Sequence, residues 1–201
     1  MSKSEDNPLM SSFARRLAAV VSWIGHPLVF ASATVAIVVA TQLPARMAFA
    51  ILAALLLSVI GPTAVLLILG VRSGRWRDAD VSVREERRRL YPVAIPLSAF
   101  GTLITWWIGA PGYILRGGIV TLLLLVIAAI TNLWFKISLH ALFAAFFTTV
   151  LFRLSPIYGS AALLVAALIF WSRLFLTRHT LIETISGFVL GLAGGIAAAW
   201  L

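Results

Sequence analysis

Apolar residues run through this chain in long blocks separated by short polar links. Residues 17–45, 47–71, 90–115, 117–135, 137–152, 154–171 and 184–201 contain no Lys, Arg, Asp or Glu. A bilayer core about 30 Å thick is crossed by about 20 apolar residues in a helix, so several of these blocks are long enough to span it. Blocks 137–152 and 154–171 are short, which predicts tilt or local thinning of the bilayer there. Turn signals then divide the blocks. Gly25-His26-Pro27 separates an interfacial turn carrying Trp23 from a span at about 28–42, and Pro44 and Arg46 mark a tight turn. A span at roughly 47–71 follows, with a kink expected at Gly61-Pro62. After the polar segment 72–91 comes a hairpin of spans 92–110 and 117–135 around Pro111-Gly112. A second hairpin, 139–152 and 157–171, turns near Ser155-Pro156, and the polar link 172–183 leads into a last span, 184–201.

The pattern predicts an all-α polytopic integral membrane helical bundle of about seven spans, or six if the first segment or the short hairpin inserts only in part. Residues 1–13, polar and Ser-rich, are expected to be disordered, and 14–201 to form one transmembrane domain. The first apolar segment continues well past the length of a signal-peptide core and lacks a small-residue cleavage site, so it reads as a span. Gly187, Gly191 and Gly195 share one face of the last span, the spacing of close helix packing.

Composition sharpens this picture. With 61% hydrophobic and 11% charged residues and a mean hydropathy of +1.03, the chain is too apolar for a water-soluble domain. The absence of cysteine excludes a disulfide, a thiolate nucleophile and a Cys-ligated metal. The net charge of +9 sits in short links between spans, so it is read as setting membrane orientation and not as a nucleic-acid surface.

Span parity places the N-terminus, 72–91, 136–140 and 172–183 on one side of the membrane. Every acid (Glu5, Asp6, Asp78, Asp80, Glu85, Glu86 and Glu183) is on that face, as are His140 and His179, with His26 in reach. Thirteen basic residues share it, against Arg46, Arg116 and Arg153 opposite. The positive-inside rule puts this face in the cytoplasm, which for a bacterial inner-membrane protein is the inner leaflet.

Three clusters on that face could carry chemistry, each with a bland alternative. In 172–183, His179 and Glu183 are one helical turn apart, so the carboxylate can hold one imidazole nitrogen and leave the other free to attack. Arg173 and Arg178 offer forks suited to phosphate oxygens, although arginines at a span end also snorkel to the interface. Lys136 and His140, also four apart, can gather an anion or simply mark the membrane boundary. Along 78–89, Arg84 and Arg87 can face an anion while neighbouring acids hold their guanidinium planes, or the stretch is a solvated, ion-paired helix. His26 reads as a packing histidine. Two histidines, one carboxylate and several guanidiniums suggest phosphoryl chemistry without a metal ion.

Ser172-Arg173-x5-His179-x3-Glu183 resembles the third motif, S-R-x5-H-x3-D, of the type 2 phosphatidic acid phosphatase (PAP2) superfamily of membrane lipid-phosphate phosphatases. Ile137-Ser138-Leu139-His140 keeps the Ser and His of its second motif, P-S-G-H, and Asp80-x6-Arg87-Arg88 keeps the arginine of its first, K-x6-R-P. Motif order and span parity also agree, so the resemblance covers about residues 47–201 and points to a divergent bacterial member. It implies hydrolysis of a phosphate monoester or diphosphate on a lipid or prenyl chain through a phosphohistidine, with no metal and no cofactor. His179 would be the nucleophile, Glu183 its orienting carboxylate and His140 the general acid. Arg87, Arg173 and Ser138 would bind phosphoryl oxygens, joined by Lys136 and Arg84, with Lys136 supplying the positive charge lost at Asp80. The implied partners are the lipid phosphate and the bilayer, and no nucleic acid. The rival readings are a catalytically silent lipid-binding or transport homologue and a lipid phosphotransferase.

Overall fold

The computed structural model describes residues 8–200, with side chains from 12 to 199. All regular structure among them is helical: α1 (Pro8–Ile24), α2 (Pro27–Gln42), α3 (Ala45–Leu55), a π-helical turn (Leu56–Ile60), α4 (Gly61–Arg72), α5 (Arg84–Trp107), α6 (Gly112–Thr131), α7 (Leu139–Leu154), α8 (Pro156–Phe175) and α9 (Leu181–Trp200). The α3–α4 rod of 28 residues, α5, α6, α8 and α9 make five helices long and apolar enough to cross a membrane. The α1–α2 pair, bent by 53°, makes a sixth if it is one span. Large apolar side chains such as Leu57, Trp107, Ile157 and Leu164 point outward. Outward apolar faces on helices of this length are the surface of an integral membrane protein, in which lipid and not water is the outer solvent.

Helix α7 is the axis of the bundle. Every residue from Leu139 to Thr148 is buried, and the helix packs against α9, α8 and α2. At 16 residues it is a shorter apolar helix, outside the five or six helices long enough to cross a membrane, where the sequence predicts a short span. Enclosure by protein supplies the apolar surroundings that lipid would otherwise have to provide. The glycine face of α9 lies on it: a Cβ at Gly187 would strike the Ser138 carbonyl, and one at Gly191 the Leu142 carbonyl. The two backbones therefore approach as closely as the small-residue spacing predicts.

Helix ends follow local chemistry. His26 Nδ1 accepts the Leu28 N–H (3.2 Å) at the start of α2, Ser138 Oγ accepts the Ala141 N–H (3.3 Å) at the start of α7, and Ser155 Oγ accepts the Ile157 N–H (3.2 Å) before α8. Pro27 and Pro156 occupy first-turn positions, where a missing N–H costs nothing. Where a kink is expected at Gly61-Pro62, the helix continues through a π-turn just before it, in which the Leu56 carbonyl accepts the Gly61 N–H and a Cβ at Gly61 would strike that carbonyl.

Three boundaries differ from those predicted. Of the segment 1–13, residues 1–7 lie outside the described residues, and 8–13 continue α1 instead of being disordered. The span expected at 92–110 begins at Arg84, because Pro92 and Pro96 sit on the exposed face of α5 and leave its buried side intact. The apolar block 154–171 is not a short span. Helix α8 runs on through Arg173 to Phe175, since that arginine finds polar partners inside the protein.

Candidate active site

Four chain segments meet at one end of the bundle: the α1–α2 bend, the 73–83 loop, the 132–138 link and the 176–180 link. Helices α2, α5, α7 and α9 all begin there, so four N-termini with their positive dipole ends converge on it. Helix α8 delivers Arg173 from its last turn.

His179 is the centre of the constellation. Its Nδ1 lies 3.0 Å from Glu183 Oε2, and the same oxygen accepts the Thr180 N–H at 3.0 Å. A carboxylate in that place makes Nδ1 the protonated nitrogen and leaves the Nε2 lone pair outward. Arg87 Nη2 approaches Nε2 at 3.5 Å. Burial is the largest influence on the ring, and the charges of Arg87, Arg173 and Lys136 add to it; together they push its pKa well below the ordinary histidine value. The imidazole is therefore neutral at physiological pH, with its Nε2 lone pair available. Lys136 Nζ lies 3.6 Å from Glu183 Oε2 and donates to the Ser82 and Arg178 carbonyls at 3.2 Å each. Its pKa is lowered, first by burial and against the opposing pull of Glu183.

The two central arginines are fully buried. Arg87 Nε donates to the Val81 carbonyl (2.9 Å) and Nη1 to that of Ile137 (2.6 Å). Arg173 Nη1 donates to Ser22 Oγ and Asp80 Oδ2, both at 2.5 Å. Among the described residues its Nε and Nη2 have no hydrogen-bond partner. Two orphaned donors on a buried guanidinium are costly unless an anion completes them. His140 Nε2 is likewise buried without a hydrogen bond, 3.5 Å from Asp80 Oδ1. The loop that brings Asp80 here is strained: Val81 has φ 47°, as Thr177 has φ 53° in the link before His179. Left-handed backbone at β-branched residues is rare and tends to collect at functional sites.

The residues expected to meet are not all together. His179, Glu183, Lys136, Arg87, Arg173 and His140 converge. Arg84 does not: its Nη1 donates to the Trp134 carbonyl (2.8 Å) and its Nε lies 3.6 Å from Glu85, on a half-exposed side chain. Placed first in α5, its side chain reaches the exposed Trp134 and not the buried site around Arg87. Ser138 is fully buried; its hydroxyl caps α7 and its N–H donates to the Glu183 carbonyl (3.0 Å), a bond that ties α7 to α9.

Sequence reasoning passed over two participants. Asp80 reads in the sequence as the loss of a cation, yet it is the carboxylate joining Arg173 to His140. His26, read as packing, stacks edge-on against His140 with ring centroids 5.5 Å apart. The available signal was their location, since both lie on the polar face defined by span parity. Next to them a cavity of about 140 Å³ runs from His26, Asp80 and His140 between Leu67, Leu125, Phe143 and Phe147. Among the described residues no group of three or more His, Asp or Glu side chains is arranged to hold a metal ion. No family model, curated protein or solved structure matches this chain.

Proposed function

We propose that the protein is a membrane lipid-phosphate phosphatase of PAP2 type, hydrolysing a phosphate monoester or diphosphate of a lipid or prenyl chain through a phosphohistidine at His179. The observation that carries this reading is the pairing of a neutral imidazole, backed by Glu183, with a buried Arg173 that has two unpaired donors. A phosphoryl group seated on Arg173, Arg87 and Lys136 would satisfy those donors and lie in front of Nε2. The chemistry then balances. The Nε2 lone pair forms the P–N bond, and the P–O bond to the alcohol breaks. Its electron pair stays on the leaving oxygen, which takes a proton from His140. Water next attacks phosphorus, the P–N bond breaks, and His140 recovers a proton. Preorganised cations stabilise the transferring group. The apolar cavity beside His140 suits a lipid alcohol, and the charge bias of the links favours a site at the cytoplasmic face of a bacterial inner membrane.

The test is phosphate release by purified protein from a panel of lipid and prenyl phosphates, with a chelator present, beside His179→Ala and His140→Ala. Release that His179→Ala abolishes supports the reading. No release from any substrate favours a silent lipid-binding protein, loss of activity with chelator contradicts metal independence, and phosphate appearing on an added alcohol indicates a phosphotransferase.

A further inference from the structure

Among the described residues, Asp80 is the one acid whose two oxygens are divided between Arg173 and His140. Oδ2 meets Arg173, and Oδ1 lies 3.5 Å from His140 Nε2. Burial is the largest influence on His140, followed by Arg173, His26 and Arg87, all cationic or able to become so, while the Ser22 backbone hydrogen-bonds the ring. Among the described residues, no other acid pairs with the His140 ring. For a buried imidazole among cations to carry a transferable proton, some nearby anion must offset its charge. The 78–82 segment is held firmly enough to provide that anion at a fixed place: Asp78 pairs with Arg178 (2.5 Å), the Val81 carbonyl receives Arg87 and the Ser82 carbonyl receives Lys136.

The side of the site that His140 and Asp80 occupy is also the side on which the apolar cavity opens. An oxygen beside Nε2 there belongs to an alcohol of low polarity, and an alkyl or prenyl alkoxide is too basic to leave without a proton. We propose that Asp80 is the positioning residue of the leaving-group side, its carboxylate bridging Arg173 and His140 so that a protonated His140 is held against the departing oxygen of an alkyl or prenyl phosphate. This rests on the phosphatase reading above. In the step, the proton moves from His140 Nε2 to the alkoxide as the P–O bond breaks, and the neutral imidazole later takes its proton back from the attacking water.

Leaving-group dependence separates this role from a merely structural one. Phosphate release is measured for wild type, Asp80→Asn and His140→Asn on two substrates: a short-chain alkyl phosphate, whose alkoxide needs a proton, and p-nitrophenyl phosphate, whose phenolate does not. Positioned general acids are worth about 10²–10⁴ in rate. Asp80→Asn is therefore expected to lose about 100-fold or more on the alkyl ester and less than about 5-fold on the aryl ester. His140→Asn should show the same split, and the double variant should be no worse than either single one. Should Asp80→Asn lose its thermal transition in detergent, Asp80→Ser is read by the same alkyl-to-aryl ratio. Equal losses on both esters by a folded variant would overturn the role. So would a rise on both, which would make Asp80 an occupant of the anion seat. A wild-type protein inactive on both esters would remove the phosphatase reading and this inference with it.

Discussion

Replacing Glu183 by glutamine tests the central dyad with little disturbance of shape. The carboxylate uses a single oxygen, Oε2, for both the His179 Nδ1 contact and the Thr180 N–H, each at 3.0 Å. The carbonyl oxygen of a glutamine can stand in that place and accept both, so the ring keeps its tautomer and the link keeps its fold. What disappears is the charge. When Nε2 forms its bond to phosphorus the ring becomes cationic, and its Nδ1–H then faces a neutral amide instead of an anion. Charge-assisted hydrogen bonds contribute about 1.5–3 kcal/mol against about 0.5–1.5 for neutral ones, a difference of about 1–2 kcal/mol. At about 1.36 kcal/mol per tenfold, that difference predicts kcat lower by about 5- to 30-fold. KM should hold or fall, because Lys136 loses its carboxylate neighbour at 3.6 Å and has more charge to offer the phosphate. The assay is the initial rate of phosphate release from a prenyl phosphate in detergent micelles, with thermal melting to confirm the fold. Wild-type kcat in Glu183→Gln would refute the reasoning, since the ring would then need no anion behind it.

Other expectations follow from packing, ionisation and topology. Gly191→Leu forces a side chain into the Leu142 carbonyl and should lower thermal stability by at least the ~1–3 kcal/mol of ordinary overpacking, whereas Gly117→Ala, with open space around its Cβ, should be neutral or slightly stabilising. Burial and the neighbouring cations lower the pKa of His179, so as pH falls through about 6.5 the unfolded chain takes up a proton that the folded site refuses, and stability declines. His179→Asn should therefore lessen the drop in melting temperature between about pH 7 and pH 5.5; an unchanged drop would mean that the ring is protonated in the folded protein. In the cysteine-free background, Gln42→Cys in intact cells should react with an impermeant thiol reagent and Ser73→Cys should not, and the reverse result would turn the protein over in the membrane.

The apolar blocks alone were enough to define the helices, because a bilayer leaves a chain of this composition no other way to satisfy its backbone. Parity among those blocks put the acids, His140 and His179 on one face, and the four-residue spacing of His179 and Glu183 placed those two side by side. The glycine spacing of α9 likewise announced a close helix contact, since one helical face is a local property. None of this fixed which charges pair across the site. Asp80 reaches Arg173 and His140 from 93 and 60 positions away along the chain, through a loop bent at Val81 into a conformation that a β-branched residue does not announce. Arg84 and Arg87 look equivalent in sequence, yet one binds a carbonyl at the half-exposed rim and the other is sealed beside His179. Hydropathy and periodicity report how a segment meets its solvent. The partners of a buried charge are settled only when distant segments pack, because the cost of leaving it unpaired depends on everything that surrounds it.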